Sequence, residues 1–242
     1  MRSVKPVLSL RVLAAVLCLL AWQGCGPSRP SVSVPGAPEE LPPPDETPVE
    51  ALSGGESDWA GETLSSMSLE EKIAQMVFVR AYGFYQNDRT DRMRRLFDLV
   101  AREKVGGIGL FQGDVHTSAL LVNRLQEMSA VPLLVGADFE WGMAMRTRRS
   151  TRFPEAMALG ATRDTVLAYR MGRRIAAEAR AIGVHQVYAP VSDVNNNPLN
   201  PVINTRSFGE NPYLVASMAS AVARGLQDGG VIATAKHFPG HG

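Results

Sequence analysis

The sequence predicts an α/β domain in which parallel strands alternate with helices. Runs of apolar and β-branched residues are each followed by a stretch with helical periodicity, and about five such βα units lie between residues 68 and 242. Strands that alternate with helices form parallel sheets whose two faces are both covered. A (β/α)8 barrel needs eight such units, so a barrel truncated after about five is expected, with a doubly wound sheet as the alternative.

The first elements begin at a capping box. Ser68 and Glu71 stand at the spacing at which the hydroxyl and the carboxylate each accept a backbone N–H at a helix start. This helix must be short, because residues 75–80 already form an apolar, β-branched run. A helix is predicted over residues 90–104, with apolar residues on one face, and a buried strand over 105–111. The glycines of that strand, Gly106, Gly107 and Gly109, predict close backbone packing rather than a phosphate loop.

The alternation continues to residue 236. Helices are predicted over 116–129, 163–182 and 211–228, and strands over 131–137, 185–189 and 231–236. Pro212 suits the first turn of the last helix, and Gly229 and Gly230 suit its end.

Residues 1–25 have the layout of an export signal peptide. Basic residues precede the apolar run 12–20, which is too short to span a bilayer. The small residue Gly24 precedes Cys25, as in signals whose cysteine is lipidated, although Trp22 and Gln23 depart from the usual pattern. Cys25 is therefore a lipidation candidate, with an ordinary signal peptide as the alternative. The predicted location is the periplasm or cell envelope, with a membrane tether if Cys25 is lipidated.

Residues 26–62 are predicted to be a disordered linker. They are rich in Pro, Ser and Gly and contain few large apolar side chains, so they cannot bury enough surface to fold. The folded domain is predicted over residues 63–242. The formal net charge is +1, and the short basic clusters at 92–95 and 146–152 are typical of solvated surface. Nucleic acid is therefore excluded as an expected partner.

The residues that follow each predicted strand are the candidates for a functional site. Asp138 follows the third strand and can bridge two sugar hydroxyls through its two carboxylate oxygens. Asp193 and Arg206 lie in the long loop after the fourth strand. Arg206 is the natural donor there, and Asp193 is interpreted as a structural partner that holds the loop.

The fifth strand ends in Lys236 and His237, within the stretch KHFPGHG at residues 236–242. His237 and His241 have the spacing of paired zinc ligands, but Pro239 and Gly240 exclude the helix that such a pair needs, so no metal site is predicted. No cofactor is predicted either.

KHFPGHG resembles the signature of glycoside hydrolase family 3, in its β-N-acetylglucosaminidase (β-N-acetylhexosaminidase) branch. Other parts of residues 63–242 are similar to that family in order and spacing: 67–72 (MSLEEK), 106–108 (GGI), 153–156, 189–191 (APV) and 206–209 (RSFG). The resemblance implies a (β/α)8 TIM barrel. It also implies a substrate-binding set of Asp138, Arg206, Lys236 and His237, with cis peptide bonds at Lys236–His237 and Phe238–Pro239.

The resemblance further implies a retaining glycosidase that removes terminal β-linked N-acetylglucosamine from peptidoglycan fragments or chitin-like oligosaccharides. The family's nucleophile and its acid/base residue match no position in residues 1–242, so this chain is expected to be an inactive fragment with no catalytic residue of its own. Glu140 and Trp141 stand where relatives often have Glu-Gly-Gly, which leaves the preferred amino sugar open. A non-catalytic sugar-binding lipoprotein and a β-glucosidase of the same family are the alternatives.

Overall fold

The computed structural model of the chain describes residues 58–242. The predicted signal peptide, its candidate Cys25 and residues 26–57 of the predicted linker lie outside this range. The linker prediction is wrong at its carboxyl end, because helix α1 spans Trp59–Ser66. The Asp58 carboxylate caps α1 by accepting the Gly61 N–H at 2.9 Å. No α1 side chain is buried, so no apolar face marked this helix in the sequence.

Helix α2 spans Leu69–Gln75 and confirms the predicted capping box. The Ser68 hydroxyl accepts the Glu71 N–H at 3.2 Å, and the Glu71 carboxylate accepts the Ser68 N–H at 2.9 Å. The helix is short, as predicted. Since it extends to Gln75, the following strand begins three residues later than the sequence pattern indicated.

The sheet described within residues 58–242 contains six parallel strands. In chain order they are β1 Phe78–Gly83, β2 Gly107–Asp114, β3 Leu134–Ala137, β4 Thr147–Arg148, β5 Gln186–Val187 and β6 Ile232–Ala233. The hydrogen-bonded order is β1-β2-β3-β5-β6, and the short β4 pairs with the end of β2. A doubly wound sheet reverses its strand order partway. Within residues 58–242 each main strand lies beside the one before it, so the barrel-type α/β fold is confirmed.

Five helices cover the sheet after α2. They are α3 Asp91–Ala101, α4 Val115–Met128, α5 Ala156–Thr162, α6 Thr165–Ala181 and α7 Pro212–Asp228. Four of them match the predicted helices to within three residues at each end, whereas α5 was not predicted. Ile108, Val135 and Ile175 are fully buried in the core between sheet and helices. No helix within residues 58–242 has both the length and the apolar character that crossing a membrane would require.

The glycines before and within β2 confirm close packing at two of three predicted positions. A Cβ on Gly106 would lie 1.8 Å from the Gln75 carbonyl oxygen, and one on Gly107 would lie 2.5 Å from the Leu134 carbonyl oxygen. The prediction is wrong for Gly109, where an added Cβ would meet nothing within 4 Å. Residues 106 and 107 thus let α2, β1 and β3 approach β2.

Strands β5 and β6 are shorter than predicted, yet their backbones stay paired beyond the strand ends. Pro190 has no N–H to donate, which interrupts a regular ladder after β5. The Lys236 N–H donates to the Pro190 carbonyl at 3.1 Å, and the Ser192 N–H donates to the Lys236 carbonyl at 2.7 Å. These bonds hold the loop after β5 beside residue 236.

Candidate active site

Four predicted site residues meet at the carboxyl edge of the sheet. Asp138 directly follows β3, Arg206 lies in a short 3-10 helix of the loop after β5, and Lys236 and His237 follow β6. Consecutive parallel strands end at the same edge, so residues far apart in sequence become neighbours there. The structure brings all four into one network of hydrogen bonds and ion pairs.

Asp138 lies between two cations. Its Oδ1 accepts from Lys236 Nζ at 2.8 Å, and its Oδ2 accepts from Arg146 Nη2 at 2.6 Å. Burial alone would raise the pKa of Asp138, but the hydrogen bonds and charges of Lys236 and Arg146 outweigh it and hold this pKa below its ordinary value. Asp138 is thus kept ionised, with both oxygens able to accept hydrogen bonds.

Glu140 shares Lys236 with Asp138 and also pairs with Arg206. Its carboxylate accepts from Arg206 Nε at 2.9 Å and Nη2 at 2.8 Å, and Lys236 Nζ lies 2.6 Å from its Oε1. Burial would raise the pKa of Glu140, but the bonds from Arg206 and Lys236 dominate and lower it. The same bond with Glu140 raises the pKa of Arg206 above its ordinary value. Glu140 and Arg206 therefore both stay charged.

His237 connects this network to the buried Asp193. His237 Nδ1 lies 2.6 Å from Asp193 Oδ2, and its Nε2 lies 3.3 Å from Arg206 Nη2. Because a guanidinium has only donors, Nε2 accepts from Arg206 and Nδ1 donates to Asp193. Asp193 Oδ1 also accepts the His241 N–H at 2.7 Å. Asp193 therefore links the loop after β5 to the ring of His237 and to the backbone of the 236–242 segment.

The 236–242 segment has the expected backbone. The Lys236–His237 and Phe238–Pro239 peptide bonds are both cis, which confirms the prediction, and Ala189–Pro190 is a third cis bond. A cavity of about 410 Å³ opens beside His237, between this segment and the loop after β5. The rings of His237 and His241 meet edge to face, with centroids 5.9 Å apart. Among the described residues, no three His, Cys, Asp or Glu side chains are arranged to hold a metal ion.

Arg146 was misassigned from the sequence. It belongs to the basic cluster interpreted as solvated surface, yet its side chain is largely buried against Asp138, with its guanidinium 4.5 Å from the centroid of the Phe111 ring. Glu140 was recognised only as a departure from relatives. One signal could have found both residues, since they follow Asp138 in the loop at a strand end, where polar side chains converge.

The strand order and the position of the polar cluster together define the chain as an α/β barrel-type domain with its polar groups at the carboxyl edge of the sheet. The chain belongs to glycosyl hydrolase family 3: the family model described as the glycosyl hydrolase family 3 N terminal domain matches residues 68–242.

Known relatives agree with this assignment. The chain is 35% identical over 184 residues to a β-N-acetylglucosaminidase/β-glucosidase of Cellulomonas fimi, a match covering 76% of this chain and 31% of that protein. A solved family 3 β-N-acetylglucosaminidase from Paenibacillus sp. is 38% identical with a TM-score of 0.63, covering 73% of this chain and 34% of that one. The β-glucoside phosphorylase BglX is 30% identical with a TM-score of 0.69, covering 76% and 32%. The chain thus spans about a third of the length of each.

Proposed function

We propose that the protein containing this chain is a β-N-acetylhexosaminidase-type glycosidase that removes terminal β-linked N-acetylglucosamine. The chain would supply the groups that bind this sugar. The observation that carries the proposal is the convergence of Asp138, Arg206, Lys236 and His237 at one edge of a family 3 barrel. Relatives named β-hexosaminidase or β-N-acetylglucosaminidase support the choice of sugar.

The cluster suits a ring with neighbouring hydroxyl groups. Asp138 offers an acceptor held between two cations, while Lys236 and Arg206 offer donors from charged groups. Hydrogen bonds that involve an ionised partner are shorter and stronger than neutral ones, which lets a few of them hold a well-hydrated sugar. In this proposal these residues bind and orient the terminal sugar.

The proposed reaction proceeds with retention at the anomeric carbon. Retention needs a carboxylate nucleophile and a second group that first protonates the leaving oxygen and then activates water. Neither role is assigned to a residue of this chain. The product's anomeric form tests this part directly: proton NMR during hydrolysis should show the β-anomer first, and the α-anomer first would contradict retention.

A β-glucoside-cleaving enzyme is the second candidate. It is favoured by the printed names of two relatives, a β-N-acetylglucosaminidase/β-glucosidase and a β-glucoside phosphorylase. In this proposal the cluster binds ring hydroxyls that glucose and N-acetylglucosamine share, so the cluster does not itself separate the two sugars.

We also propose that the protein is exported to the periplasm or cell envelope and lipidated at Cys25. The support is the basic, apolar and small-residue order of residues 1–25. Peptidoglycan fragments, which lie in that compartment, are then the proposed natural substrate. Membrane fractionation of the wild-type protein and a Cys25→Ala variant tests the anchor, because loss of lipid should move the variant to the soluble fraction. Equal fractionation of the two proteins would contradict lipidation.

The main experiment uses the protein produced from its complete gene. Hydrolysis of 4-nitrophenyl β-N-acetylglucosaminide and the matching glucoside is measured for wild type, Asp138→Asn, Lys236→Met and the control Lys72→Met, which changes a lysine of α2. Each site variant loses a charge-assisted hydrogen bond, so kcat/KM should fall by about 10- to 100-fold while the control is unchanged. Faster cleavage of the glucoside would favour the second candidate. Absence of hydrolysis by the wild type would refute both.

A further inference from the structure

Glu140 occupies the centre of the site without being one of the residues assigned to the sugar. It lies two residues after Asp138 and its side chain is only 6% exposed. Both of its oxygens accept from Arg206, in the parallel two-bond arrangement that fixes a guanidinium plane, and Oε1 also meets Lys236. Little of this carboxylate is therefore accessible to a ligand.

The donors of Arg206 are nearly all used inside the protein. A guanidinium has five N–H groups. Nε and Nη2 donate to Glu140, Nη2 also reaches His237 Nε2, and Nη1 donates to the Val202 carbonyl at 3.0 Å. Among residues 58–242 the second N–H on Nη1 has no partner, so Arg206 can present a single donor in a single direction.

Lys236 is restricted in the same way. Its ammonium has three N–H groups. One donates to Asp138 Oδ1 at 2.8 Å and a second lies against Glu140 Oε1 at 2.6 Å, so within the described part of the chain one donor is left for a ligand. Without Glu140 the flexible lysine head could turn, and both it and Arg206 would present donors in several directions.

We propose that Glu140 is a positioning residue that restricts Arg206 and Lys236 to one outward donor each and so sets which hydroxyl pattern the site accepts. The inference rests on the proposed function, because it concerns the same sugar site. Glu140 acts through its two partners and touches no substrate. In this proposal the site recognises the sugar ring by the directions of these two donors and of the Asp138 acceptor.

The test compares Glu140→Gln with the control Glu71→Gln in the full-length protein. Glutamine keeps the shape of Glu140 but offers one acceptor oxygen and an NH₂ group that faces the donors of its partners. Glu71 is likewise an ion-paired glutamate, bonded to Lys104, but it lies in α2 outside the site. Binding of N-acetylglucosamine is measured by titration calorimetry, together with Arg206→Met and the Arg206→Met/Glu140→Gln double variant.

We expect Glu140→Gln to weaken sugar binding by about 10- to 100-fold and Glu71→Gln to leave it unchanged. In the Arg206→Met background the effect of Glu140→Gln should shrink, because the shared interaction is already lost. Fully additive effects would overturn the proposal, since they would mean that Glu140 acts independently of Arg206.

Crystal structures of wild type and Glu140→Gln provide a readout that needs no sugar. The proposal expects the Arg206 and Lys236 side chains to leave their present positions in the variant; both side chains in place would overturn it. This readout separates the two hypotheses. A wild type that neither binds nor cleaves the sugar refutes the proposed function, whereas unmoved Arg206 and Lys236 refute the positioning role.

Discussion

Replacing Asp193 with asparagine should destabilise the protein and weaken the sugar site together. The Asp193 side chain is 1% exposed, and its two oxygens accept from His237 Nδ1 at 2.6 Å and from the His241 N–H at 2.7 Å. Asparagine has the same shape but only one acceptor oxygen. One of the two donors must therefore face an NH₂ group instead of an oxygen.

The expected loss of stability in Asp193→Asn follows from that single hydrogen bond. A hydrogen bond to a charged group contributes about 1.5–3 kcal/mol to stability, and a buried donor left without an acceptor costs a similar amount. For a domain of this size, 1 kcal/mol corresponds to roughly 2–4 °C in melting temperature. We therefore expect Asp193→Asn to lower the free energy of unfolding by about 1.5–3 kcal/mol and the melting temperature by roughly 3–12 °C.

The loss should depend on pH. Burial alone would raise the pKa of Asp193, but the hydrogen bonds from His237 and His241 outweigh it, so the pKa in the folded protein lies below the unfolded value of about 3.9. A carboxyl group with a lowered pKa contributes stability that is present above the unfolded pKa and disappears as the pH falls through the folded pKa. The stability difference between wild type and variant should therefore begin to shrink as the pH falls below about 4, and it should vanish only below the lower folded pKa.

The assay is urea unfolding of wild type and Asp193→Asn at several pH values between about 3 and 8, a range that extends below the unfolded carboxyl pKa, where the stability difference starts to shrink. Asp164→Asn is a matched control, since Asp164 caps α6 at an exposed position. The reasoning would be refuted if Asp193→Asn were as stable as wild type at neutral pH. It would also be refuted if the difference between the two proteins did not change on acidification.

Three further changes test the fold. Gly106→Ala should destabilise the protein by about 1–3 kcal/mol or more, because its Cβ would lie 1.8 Å from a backbone oxygen. Gly109→Ala, whose Cβ would meet nothing within 4 Å, should be tolerated. Equal melting temperatures for the two variants would contradict this prediction. Ser68→Ala should cost about 1 kcal/mol in urea unfolding through the lost helix cap, and no change would mean that the cap contributes nothing. Burial lowers the pKa of His185, whose Nδ1 accepts a backbone N–H of β3. The stability contributed by the neutral ring is therefore present above about pH 6.5 and is lost as the pH falls through the lower folded pKa. His185→Ala should make the free energy of unfolding depend less on pH in that range, and an unchanged pH profile would argue against this role of His185.

The sequence predicted most of the fold because most of its helices carry local sequence signals. Ser68 at a cap, Pro212 in a first turn and the apolar face of residues 90–104 are signals that depend on neighbours in the chain. Helix α1 carries no buried face, and α5 lacks a side-chain cap, so neither produced such a signal. The carboxyl halves of the last two strands are irregular because Pro190 interrupts the ladder.

The site was predicted as a set of residues but not as a network. The strand-end rule and the family resemblance placed Asp138, Arg206 and Lys236 at one edge. In the structure Lys236 pairs with Asp138, and Glu140 links Lys236 to Arg206. The partners of these residues depend on how the loop after β3 folds back over the sheet. No periodicity encodes that path, which is why Arg146 was assigned to solvated surface and Glu140 received no role.

The ion pairs at the strand ends also have an electrical consequence. The network holds equal numbers of negative and positive side chains: Asp138, Glu140 and Asp193 against Arg146, Arg206 and Lys236. Its summed charge is therefore close to zero, and little net field extends from it towards an approaching ligand. A neutral ring can enter without disturbing that balance, whereas an ionised one would leave a charge without a counterion. Because the net charge of the network is close to zero, its long-range attraction for a charged ligand is weak, and added salt should change that attraction little.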